Sequence, residues 1–359
     1  MVSRSLLLRH LKNHHTQRPV SLSLTRCLAS KSTSKPARPA PTKVQPEQPK
    51  SWLTRKVETS PTAKRIFFGF TNLLGYGSDK QVAGRRAQGF YEQLCAVMPD
   101  QQLEFWQKEC FLPPTFQSWF TVTNLHLWML TVRLRALPPA YGKAYQQALV
   151  DHFFIDIEDR IRAVLQPPTE PKSPYTFISK FYPNPNAPLE NTQTQKDGKP
   201  KPRGSAPDRI VTRQMKIFKE QYTGMGLSLD LGLVKGDQEL AAAVWRNLLG
   251  ARGAQGIAYP NPSSPSATSP SFRRAVNLVG GEVVNVAKLD LKKEETTDDG
   301  SGVHDFPPSE SDNYLTYPEV MLNIVGYVRR ELKRLEKVSD EDIVGGDWTK
   351  LKFGRVKSN

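Results

Sequence analysis

From residue 79 to residue 165 the apolar positions recur at helical spacing. Val82, Phe90, Leu94 and Val97 predict a first helix over 79–98, which Pro99 is expected to stop. Asp100 is placed to cap a second helix reaching residue 111, before Pro113 and Pro114. Thr115 is the expected cap of a third helix, on which Phe116, Trp119, Phe120, Thr123, Leu127, Leu130 and Leu134 share one face. Val122, Leu125, Trp128, Met129 and Val132 lie around the same helix. A helix apolar on most sides is a buried one, so this segment is predicted to be the axis of a bundle. Pro138 and Pro139 end it, and a fourth helix is expected over 140–165. There Asp156 with Arg160, and Glu158 with Arg162, are acid-then-base pairs four residues apart.

The pattern lapses over 166–207, where Pro, Asn, Lys and Thr dominate. It returns in a fifth helix over 208–223, after which Gly224, Gly226 and Gly232 predict a connection. Asp237 is the expected cap of a sixth helix over 238–249, with Leu240, Val244, Trp245 and Leu248 inward and Gly250 closing it. Residues 251–312 are again low in complexity, apart from strand character at 276–286. The last helix is predicted over 317–338, followed by a short tail with Trp348. The fold class is therefore all-α. One helical bundle-like domain spans 79–350, with long inserts at 166–207 and 251–312 whose composition predicts disorder and dispensability.

Charge changes the picture at the N-terminus. The chain has 359 residues and a net charge of +15. Residues 1–46 carry nine Lys or Arg and no acid, with frequent Ser and Thr, so removing them leaves a charge of +6. This is the composition of a mitochondrial transit peptide, assigned to 1–28 with cleavage after Leu28. Residues 29–60 read as a disordered linker and 61–78 as an apolar, basic arm around Ile66, Phe67, Phe68, Phe70 and Tyr76. Two readings of the arm stay open: contact with anionic headgroups, or packing on the core. No run of about 18 apolar residues occurs, so no membrane-spanning helix is expected. Cys27, Cys95 and Cys110 show no metal or redox spacing and read as reduced thiols.

Catalytic motifs are missing: no phosphate loop, no Gly-x-Gly-x-x-Gly after a strand and no Gly-x-Ser-x-Gly. The chain is not expected to be an enzyme, and no cofactor, metal or small-molecule substrate is expected. His126 and His152 sit among aromatics, where two helical histidines can ligate haem or metal; they read instead as histidines satisfied by the fold. Asp151, Asp156, Glu158 and Asp159 read as a solvated face of paired charges. Two helices divide their charge unusually. Arg209, Arg213, Lys216 and Lys219 line one face of the fifth; Arg329, Arg330, Lys333 and Arg334 line one face of the last. Each is either an ordinary amphipathic surface or a contact for a polyanion such as RNA or anionic lipid.

Residues 111–135, with Leu-His-Leu-Trp-Met at 125–129, resemble the ubiquinol–cytochrome c chaperone family. So do residues 237–249, with Ala-Ala-Ala-Val-Trp-Arg at 241–246, and residues 151–154 and 325–332 are compatible with it. The resemblance implies a helical assembly factor on the matrix side of the mitochondrial inner membrane. It implies binding to a small partner assembly protein and to the mitochondrial ribosome. It also implies receipt of newly made cytochrome b for complex III. Peripheral contact with the inner membrane is a separate expectation, from the basic arm and the basic helix faces. Phe116, Trp119, Phe120, Trp128 and Met129 are the candidates for covering such a client; filling the core is their competing role. A mitochondrial RNA-binding translation factor is the alternative reading.

Overall fold

The computed structural model describes residues 60–62, 65, 69, 78–165, 175–183, 208–254 and 301–357. The expected transit peptide, nearly all of the linker, most of the arm and the strand-like 276–286 lie outside the described residues. Everything described belongs to the unit formed by residues 60–359. Among the described residues the architecture is all-α, without a strand. The principal helices are α1 Asp79–Phe90, α2 Met98–Gln101, α3 Phe116–Arg135, α4 Pro139–Leu165, α5 Asp208–Lys235, α6 Asp237–Asn247, α7 Tyr317–Glu336 and α8 Asp340–Gly345.

α3 is the axis its sequence predicts. Thr115 is extended and its side chain accepts the Ser118 N–H, satisfying one orphan donor of the first turn. Sixteen of the twenty α3 residues are buried, which leaves no solvent face over most of its length. α4 and α7 pack directly on it, α1 lies on α4, and α6 bridges α5 and α7.

The structure corrects several boundaries. Pro99 does not stop the first helix. α1 widens into a π-helical stretch at Tyr91–Ala96, and Pro99 sits in the first turn of α2, where its missing N–H is not needed. Asp100 does not cap a helix. Its carboxylate accepts the Ser179 hydroxyl at 2.7 Å and the Lys180 and Phe181 amides at 2.9 Å. Residues 175–183 are thereby drawn onto the bundle, with Phe181 and Tyr182 buried. Part of the insert at 166–207 is therefore packed into the fold and is not disordered, against the expectation from composition. So is part of the one at 251–312. Arg252 is buried and donates to the Phe111 carbonyl at 2.8 Å and the Tyr317 hydroxyl at 2.6 Å. Gly250, at φ +68°, lies so close to Val303 that a Cβ there would meet it at 2.6 Å.

α5 does not end at residue 223. It continues through Gly224, Gly226 and Gly232 to Lys235. Each helical glycine costs about 1 kcal/mol relative to alanine, but burial of Met225 and Leu229 against the bundle offsets this. Gly232 has a positive reason: a Cβ there would lie 2.6 Å from the Leu240 Cα, so only glycine lets α5 and α6 pack this closely. The turn between them is Gly236 at φ +129°, which leaves Asp237 as the first residue of α6 and not its cap.

The acids of α4 also divide. Glu158 pairs with Arg162 at 2.8 Å near the surface, and Asp151 is exposed beside Gln147. Asp156 is fully buried, so the reading of a solvated face fails at this residue. Its carboxylate accepts the Tyr91 hydroxyl at 2.5 Å, the Arg160 Nε–H at 2.9 Å and the Thr176 hydroxyl at 3.0 Å. Arg160 in turn donates to Tyr182, Thr176 and the Phe177 carbonyl, and its guanidinium lies 4.0 Å over the Trp119 ring. Burial, then the Asp156 charge, push Tyr91 well above the ordinary tyrosine range. Burial opposes the Arg160 charge, but Tyr182 and Asp156 outweigh it and raise its pKa.

Removing one partner of a buried ion pair leaves the other uncompensated. Asp156→Ala is therefore expected to lose about 3–5 kcal/mol of stability. Asp151→Ala should stay within about 0.5 kcal/mol of the parent, as exposed substitutions do. Urea denaturation measures both; equal losses would show that Asp156 is solvated after all.

Candidate binding surfaces

The five client-binding candidates all lie on α3 and all are buried. Phe116 stacks on Trp119 at 5.9 Å, and Phe120 meets Phe218 of α5 at 4.7 Å and Phe153 of α4 at 5.5 Å. Trp128 donates its indole N–H to Asp230 at 2.8 Å, and Arg135 holds the same carboxylate. Burial raises the Asp230 pKa, but the Arg135 and Trp128 hydrogen bonds outweigh it and lower the value. Met129 has no exposed surface. In the closed bundle none of the five presents a face to solvent, and contact through them requires α3 to be uncovered.

Both ring nitrogens of each core histidine meet protein partners. His126 Nδ1 lies 2.8 Å from the Val122 carbonyl, which can only accept, so this nitrogen carries the proton. Nε2 then accepts from the Tyr327 hydroxyl at 3.0 Å. Burial lowers the His126 pKa to about 4, against the Val122 carbonyl, which favours the charged form. His152 bonds the Tyr175 hydroxyl through Nδ1 and the Gly84 carbonyl through Nε2 at 2.8 Å. Among the described residues no three metal-ligating side chains converge.

The basic residues of α7 serve mainly to fasten the bundle. Arg329 pairs with Asp237 at 2.8 Å and reaches the Leu233 carbonyl. Arg334 pairs with the buried Glu331 at 2.8 Å and donates to the carbonyls of Lys350 and Leu351. Arg330 also meets Glu331 and donates to the carbonyls of Arg355 and Val356. Lys333 is exposed and has no ion pair among the described residues. It lines a groove of about 690 Å³ together with Val132, Leu233 and Leu332 and the charged Arg133, Arg329, Glu336 and Asp340. A second cavity, of about 310 Å³, lies between α3, α5 and the end of α6. Its only charged lining residue among those described, Arg246, is already paired with Glu239 at 2.7 Å.

On α5 the outcome is different. Arg209, Lys216 and Lys219 are exposed, and Lys219 lies 5.5 Å from the Phe154 ring; Arg213 is half-buried. Because α5 runs on to Lys235, the same face continues into Leu227, Leu231 and Val234, which are 71%, 43% and 85% exposed. Their spacing of four and three is the spacing of a helical stripe. In the sequence these residues are hidden behind Gly224, Gly226 and Gly232, whose low helix propensity predicts a connection before them.

Comparison with known proteins comes out in agreement with the resemblance. Residues 108–175 and 204–270 match the ubiquinol-cytochrome C chaperone family. These segments carry α3 to α6; α7 lies outside them. The chain is 31% identical over 182 residues to "Protein CBP3, mitochondrial" of Saccharomyces cerevisiae, covering 48% of this chain and 43% of that protein. It is 29% identical over 182 residues to ubiquinol-cytochrome-c reductase complex assembly factor 1 of Xenopus laevis, covering 50% of this chain and 68% of that protein. The protein of the same name from Homo sapiens is 25% identical over 137 residues, covering 38% of this chain and 32% of that protein. The aligned part thus spans under half the length of the yeast relative. No solved structure matches the chain.

The buried histidine makes stability depend on acid. With His126 near 4 when folded and about 6.5 when unfolded, the unfolded chain takes up the proton first. Its contribution is complete above about pH 6.5 and is lost as pH falls through about 4. The parent should lose about 2–3 kcal/mol more than His126→Gln between about pH 7 and about pH 4.5 in urea denaturation. Identical pH dependence of the two would show that His126 titrates as in an unfolded chain.

Proposed function

From the match of residues 108–175 and 204–270 to the ubiquinol-cytochrome C chaperone family, we propose that this chain is a mitochondrial chaperone for the assembly of ubiquinol–cytochrome c reductase, complex III. It acts by binding and not by catalysis. The observation that carries the reading is the family match itself, which falls in order on α3, α4, α5 and α6. The printed names of the relatives support it.

The finer reading is that the client is newly made cytochrome b, received at the mitochondrial ribosome on the matrix side of the inner membrane, together with a small partner assembly protein. An apolar client left in water is unfavourable by about 25 cal/mol per Å², so a reversible apolar cover is what such a step requires. Two places on this chain answer to that. One is the groove where Val132, Ala136, Leu233 and Leu332 stand among Arg133, Arg329, Lys333, Glu336 and Asp340; it is open in the closed bundle and only partly apolar. The other is the set Phe116, Trp119, Phe120, Trp128 and Met129, which serves only if α3 is uncovered. No described helix is long and apolar enough to cross a membrane, so contact with the inner membrane is peripheral in this reading.

The RNA-binding alternative draws on the two basic faces as polyanion contacts. It loses weight because Arg329, Arg330 and Arg334 already hold Asp237, Glu331 and tail carbonyls. Disrupting the gene and resolving respiratory complexes on native gels tests the proposal. Complex III should fall while the other mitochondrially encoded complexes persist. Undiminished complex III refutes the assembly role, and a general loss of mitochondrial translation products favours the RNA-binding reading.

A further inference from the structure

The exposed face of α5 repeats one geometry twice. Arg209, Arg213 and Lys216 are spaced by four and three; so are Leu227, Leu231 and Val234. Eighteen residues separate each cation from its aliphatic counterpart, which is about five turns, or about 27 Å along the axis. On one regular helix the two triplets therefore share a side, with the exposed Glu220 between them. Lys219 and Lys235 flank this line and are exposed. The opposite side of α5 carries Ile210, Val211, Met215, Phe218, Met225 and Leu229, all buried. The outer line is thus fixed by the core and is not free to turn inward.

We propose that this line of α5 is a docking surface for an anionic phospholipid bilayer. Its basic half lies on the headgroups, and Leu227, Leu231 and Val234 enter the acyl boundary. Charge complementarity chooses the sign of the lipid. Among the described residues Arg209, Lys216, Lys219 and Lys235 have no ion pair, in contrast to the arginines of α7. The aliphatic half chooses a bilayer over a nucleic acid, because phosphates leave nothing for three exposed aliphatics to bury. The shape agrees: the outer line of a helix is convex and straight, which suits a plane, whereas a client helix is usually received in a groove. The inference rests on the proposed assembly role only in naming which membrane is met; the surface itself is a property of the chain.

The test is co-sedimentation of the purified full chain with phosphatidylcholine vesicles, with and without phosphatidylglycerol, at low and high salt. The parent should bind the anionic vesicles and leave the neutral ones, with binding weakened by salt. Arg209→Glu/Lys216→Glu/Lys219→Glu and, separately, Leu227→Gln/Leu231→Gln/Val234→Gln should each weaken binding by at least about ten-fold. Circular dichroism and thermal melting should match the parent, since all six positions are exposed. No binding by the parent, or binding that survives either folded triple variant, overturns the inference. Loss with the charge variant but not with the aliphatic one also overturns it, because the vesicle would then be met by charge alone and the aliphatic stripe would not enter the bilayer. Failure here with complex III still dependent on the gene removes this surface alone and leaves the assembly role standing.

Discussion

A carboxylate with no exposed surface, Asp156, sits inside a helical bundle and must be neutralised there. An isolated buried charge is costly enough that it persists only when paired and fully hydrogen-bonded. Arg160 supplies the pairing from the next turn of α4, and three further segments complete it. Tyr91 reaches in from the π-helical stretch after α1, Thr176 and Tyr182 from the loop at 175–183, and Trp119 from α3 closes the face of the guanidinium. One point thus fixes the relative positions of α1, α3, α4 and a loop that the sequence otherwise leaves unstructured. Asp100 holds that loop a second time, through two backbone amides and a hydroxyl.

The same logic operates at the other side of α3. Glu331 of α7 is buried and is neutralised by Arg330 and Arg334, whose remaining donors take the carbonyls of the C-terminal tail. The tail brings Phe353 to 5.1 Å from His126, whose Nε2 accepts from Tyr327 of α7. Arg329, Arg330 and Arg334, which look from sequence like a surface for RNA or lipid, are therefore structural on α7, while Lys333 stays exposed. On α5 Arg209, Lys216 and Lys219 are exposed and have no ion pair among the described residues, and Arg213 is half-buried. The α7 arginines are held because Asp237 and Glu331 face them.

The periodic parts of the fold were legible because a strong pattern and its stop signals agreed. Thr115, the apolar girdle of α3 and the two prolines after it define that helix unaided, and α4 and α7 follow similarly. The resemblance was legible in two short stretches that fall on α3 and α6. What escaped has a common cause: it depends on contacts between segments remote in sequence. Gly224, Gly226 and Gly232 are helix breakers by propensity, yet Gly232 exists to admit Leu240, and the helix runs on. Ending α5 early hid the stripe of Leu227, Leu231 and Val234. The acid-then-base spacing of Asp156 and Arg160 was visible, but spacing does not distinguish a surface pair from a buried one. Arg252 and the loop at 175–183 sat in stretches whose composition alone predicts disorder, because a few anchoring bonds outweigh composition when a core is at hand.

The central claim is that α3 is a closed structural axis, uncovered only when the whole bundle unfolds. Native-state hydrogen exchange of the full chain under increasing urea tests it most directly. The account predicts that the amides of 116–134 exchange only through global unfolding, with opening free energies equal to the stability of the whole domain and the same urea dependence. Exchange of those amides through a smaller, urea-insensitive opening, while α4 and α7 stay protected, would contradict it and restore Trp119, Trp128 and Met129 as a surface exposed in the native ensemble.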